Sequence, residues 1–62
     1  MITDRELWAC ALQVMRQHGD QAPVFIAERI GALALKGDEQ GIATWQGIAA
    51  RLDALNSQQA VH

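Results

Sequence analysis

The sequence predicts an all-α fold, a three-helix domain with helices over about residues 4–18, 21–36 and 39–55, assembled as a homo-oligomer. Three observations carry this. Apolar residues recur at spacings of three and four through each segment, which is the period of a helix face. The pair Gly-Asp occurs twice, at Gly19-Asp20 and Gly37-Asp38. Glycine readily takes the left-handed conformation that ends a helix, and aspartate caps the helix that follows. Finally, no stretch alternates polar with apolar residues and the chain has no tyrosine, so nothing reads as a strand.

Helix 1 opens on Thr3-Asp4-Arg5-Glu6, a capping box, with Ile2 and Leu7 at the positions of a hydrophobic staple. Leu7, Ala11, Val14 and His18 fall on one line of this helix. Cys10 flanks the line on one side, and Trp8, Leu12 and Met15 extend it on the other. The apolar arc covers roughly 200°, whereas burial of one face needs little more than ~100°. Helix 1 is therefore expected to be buried on two sides.

Gly19 ends helix 1, and Asp20 is expected to cap helix 2, with Pro23 in the first turn, where a missing N–H does no harm. Ile26, Ile30 and Leu33 form one seam of helix 2, and Val24 with Leu35 a second. Ala27, Gly31 and Ala34 lie between the seams. A glycine inside a helix is unfavourable by ~1 kcal/mol relative to alanine, so Gly31 implies a closely approaching helix. Phe25 points with Glu28, Arg29 and Lys36 to the polar side; it is expected to fold back over Gly19-Asp20 onto helix 1, or else to anchor a partner.

Helix 3 begins after Gly37, with Asp38 as its cap. Ile42, Trp45, Ile48, Ala49, Leu52 and Leu55 make one apolar face, and Ala43, Gly47, Ala50 and Ala54 a line of small residues opposite. Asn56 closes the helix, giving a single domain over 1–56 and a frayed polar tail over 57–62.

With 62 residues the chain forms one small domain at most, and domains of this size barely balance core burial against chain entropy. Half of the residues are hydrophobic, so a second copy is the simplest cover for the surplus apolar arc. The net charge is −2 and the five basic residues are scattered singly, a poor match to a phosphate backbone. Cys10 is the one cysteine and reads as a small apolar core residue. No charged-then-apolar leader pattern appears, and the longest apolar run, Val24 to Ala27, is too short to span a bilayer. A cytoplasmic protein without membrane partner is expected.

Candidate chemistry is sparse. His18 sits in the last turn of helix 1, where a cation suits the helix dipole and the ring can donate to a free carbonyl. No partner residues converge on it for catalysis, and His62 lies in the tail. The Gly-Asp pairs lack the lysine and hydroxyl residue of a phosphate loop and the alternating oxygen ligands of a calcium loop. No Cys/His spacing suggests zinc. No catalytic, cofactor-binding or metal-ligating residue is therefore assigned, and no cofactor is expected. The residues expected at an interface are Trp8, Leu12, Met15, Phe25, Ala27, Gly31, Ala34 and Gly47.

The strings Arg5-Glu6-Leu7-Trp8-Ala9-Cys10-Ala11, Arg16-Gln17-His18-Gly19-Asp20-Gln21-Ala22-Pro23 and Gly37-Asp38-Glu39-Gln40-Gly41-Ile42-Ala43-Thr44-Trp45 resemble a family of short alphaproteobacterial proteins of unknown function. The resemblance runs from the Glu-Leu-Trp start to Leu55 and supplies no catalytic residues. The stretch from Gly37 to Ala49 also resembles the turn of tetratricopeptide-type helix pairs, although such arrays need about three repeats. The function expected is that of a small helical protein-interaction or regulatory module, acting through a homo-oligomer or a protein partner. A nucleic-acid-associated regulator is the alternative, and an enzyme with a site near His18 comes third.

Overall fold

The computed structural model describes residues 2–59, and the side chains of residues 2–57. It is all-helical, with no strand among the described residues. The elements are α1 (Asp4–His18), a short 3-10 turn (Gly19–Gln21), α2 (Ala22–Lys36) and α3 (Glu39–Gln59). Helical residues thus fall into two uninterrupted runs, 4–36 and 39–59, and the first run bends at Gly19.

α1 starts as its sequence dictates. Thr3 Oγ1 accepts from the Glu6 N–H at 3.2 Å, and Glu6 Oε1 accepts from the Thr3 N–H at 3.0 Å. Two of the donors that a helix start leaves unpaired are satisfied in this way.

The junction between α2 and α3 is equally orthodox. Gly37 is left-handed, with φ 74° and ψ 24°. Its N–H donates to Ala34 O at 3.1 Å and the Asp38 N–H to Leu33 O at 3.0 Å, the paired bonds of a Schellman stop. Asp38 Oδ1 then caps α3 by accepting from the Gly41 N–H at 2.9 Å. Gly41 has a steric role as well: a Cβ there would stand 2.7 Å from Asp38 Oδ2 and 3.1 Å from a methyl of Leu33.

Two boundaries differ from expectation. α2 begins at Ala22, and Asp20 makes no capping bond; the 3-10 turn closes instead through the Ala22 N–H on Gly19 O. α3 continues to Gln59 rather than stopping near residue 55, because Asn56 and Ser57 do not break a helix that already has momentum from Leu52 and Leu55. Residues 60–62, and with them His62, lie outside the described residues.

α3 is the element on which the fold is built, since both α1 and α2 pack extensively against it and touch one another much less. α2 runs antiparallel to α3: Leu33 lies by Gly41, Arg29 over Trp45, and Ile26 beside Leu52. The buried core consists of Ala11, Val14, Ala22, Ile26, Ile48 and Leu52, and among the described residues Ile26 is the one large side chain that is essentially fully enclosed. Leu7, Cys10, Met15, Ile30, Trp45, Ala49 and Leu55 pack around it half-buried.

Candidate functional site

The chain carries two kinds of surface that could act: a partly buried aromatic series at the first junction, and the apolar faces that the small core leaves outside. The aromatic series begins at His18, whose ring stacks on Phe25 with centroids 4.0 Å apart and planes within 15°. Phe25 meets Trp45 edge-on at 5.8 Å, and the Arg29 guanidinium lies 5.4 Å from the centre of the Trp45 ring. Phe25 therefore folds back over the junction onto α1, half-buried, as one of its two expected placements required. Contacts of this kind favour order at the bend and a cation over the indole face.

Beside this series a shallow apolar groove of about 380 Å³ runs along α1, walled by Cys10 and Val14 of α1, Phe25 of α2 and Trp45 of α3, with Gln13 and Gln17 along its rim. Cys10 is half-buried there and is not disulfide-bonded. His18 is half-buried against Phe25, and no hydrogen bond engages its ring among the described residues. The free carbonyl expected to hold it is replaced by an aromatic face. No group of three or more His, Cys, Asp or Glu side chains that could hold a metal ion occurs among the described residues.

One ion pair ties the ends of the sequence together. Arg51 of α3 donates through Nη2 to the carboxylate of Asp4 and through Nη1 to Gly47 O at 3.2 Å. Its Nε is buried with no partner among the described residues. The hydrogen bond from Arg51 holds the Asp4 carboxyl below the usual carboxylate range, and the Thr3 backbone N–H does the same for Glu6.

The interface residues expected from sequence divide into three groups. Trp8 and Leu12 are exposed at 38% and 36% on one flank of α1, with Met15 half-buried beside them. Within this chain α1 is thus buried on one side. Ala27, Gly31 and Ala34 are exposed on the side of α2 turned away from α3. Nothing lies within 4 Å of a Cβ built on Gly31, so no helix of this chain explains that glycine. Gly47 belongs elsewhere. It is half-buried, and a Cβ on it would stand 3.3 Å from a Leu7 methyl, so its small size serves the approach of α1 within the chain rather than an outer line.

Two residues were missed as surface. Val24 and Leu35, expected to form a second seam of helix 2, are 51% and 93% exposed. The signal was present: on a helical projection both lie across from Ile26 and Leu33, together with Ala27, Gly31 and Ala34. One helix packed on one neighbour can bury only one of these sides.

A family model described as a family of unknown function (DUF6961) matches residues 3–60. No curated protein and no solved structure matches the chain.

Proposed function

The chain belongs to the DUF6961 family, whose function is unknown, and from that premise we propose that it is a small helical interaction module acting through protein–protein contact, first of all with copies of itself. One observation carries the reading. Half of the residues are hydrophobic, yet among the described residues six are buried, while Trp8, Leu12, Val24 and Leu35 stand exposed. Scattered apolar residues on a surface need no explanation, but whole helix faces do. The alphaproteobacterial setting suggested by the sequence strings and a cytoplasmic location belong to the same proposal. Among the described residues no helix is long and apolar enough to cross a membrane.

Other features support this reading over its rivals. Of the five basic residues, Arg29 is engaged over Trp45 and Arg51 with Asp4, which leaves little for a nucleic-acid backbone. Catalysis near His18 would need partners to orient the ring, and its neighbour is the face of Phe25.

The test is thermal unfolding and sedimentation equilibrium over a wide concentration range. Self-association predicts a melting temperature that climbs with concentration and a mass above 6.8 kDa, because folding and assembly are linked. A monomeric mass with a concentration-independent melt at the highest soluble concentration would remove the proposal.

A further inference from the structure

We draw no further inference here: the strongest candidate, the shallow apolar groove along α1 walled by Cys10, Val14, Phe25 and Trp45, carries nothing, because nothing in the structure shows what covers it.

Discussion

Gly19-Asp20 and Gly37-Asp38 are the same dipeptide, and they build two different junctions. At the second, Gly37 closes α2 and Asp38 opens α3 with a side-chain cap. At the first, Gly19 has positive φ (53°) but ψ −126°, the chain passes through a 3-10 turn, and Asp20 caps nothing. The residue three beyond the aspartate decides between them. After Asp38 that residue is Gly41, which offers an N–H and leaves room for the carboxylate. After Asp20 it is Pro23, which has no N–H to offer. The second junction is therefore closed by paired backbone bonds and a side-chain cap, and the first by a 3-10 bond backed by side-chain packing, His18 on Phe25 on Trp45.

If that contrast is right, the two junctions should fail differently. Phe25→Ala should have the largest effect, destabilising by about 2–3 kcal/mol, somewhat less than truncation of a fully buried ring. In a domain this small that lowers the melting temperature by well over 10 °C. An unchanged melt would mean that the first bend is not held by stacking. Gly37→Val comes next, at about 2 kcal/mol, because a β-branched residue resists the left-handed conformation observed there. Chemical denaturation would measure it.

Asp38→Ala should remove about 1 kcal/mol, the usual worth of a cap, while Asp20→Ala should stay within about 0.5 kcal/mol of wild type. Equal effects at the two aspartates would erase the distinction. Gly41→Ala sharpens it further. Its new methyl collides with the capping carboxylate, so it should gain nothing in the wild type but recover part of the roughly 1 kcal/mol of helix propensity once Asp38 is alanine. Additive single and double variants would refute that coupling.

The smallest effect concerns the remaining helix start, at α1. Asp4 and Glu6 have carboxyls held below their ordinary range in the folded chain, so their contribution is fully present above the range of an unfolded carboxyl. It is lost as pH falls through the lower folded values. The melting temperature should be level above about pH 5 and decline in acid, with a shallower decline for the Asp4→Asn, Glu6→Gln double variant. An equally steep acid limb in that variant would place the loss elsewhere.

The fold was largely legible because its signals are local. The Thr3–Glu6 box, the Gly37 stop and the Asp38 cap each act within a few residues, and each stands where sequence places it. Asp20 does not cap although its residue type suits the role, because Pro23, three residues on, has no N–H for its carboxylate to accept from. The site was less legible. Periodicity shows which residues share a face, and it placed Val24 with Leu35 and Trp8 with Leu12 correctly. It does not show how many of those faces the neighbours within one chain cover. Gly31 and Gly47 make the same point. Both are helix-interior glycines in sequence, and only three-dimensional proximity shows that one faces Leu7 and the other faces nothing within the chain.

The central position of α3 has a consequence for the nascent chain. Both earlier helices rest on a segment that follows them in sequence and depend little on each other. Synthesis therefore yields α1 and α2 before either has a surface to settle on, and helices of 15 residues are marginal in water when alone. Order should arrive late and all at once, when α3 emerges. A fragment ending at Lys36 should accordingly exchange its amide hydrogens almost as fast as an unfolded peptide, and separately added α3 peptide should slow that exchange.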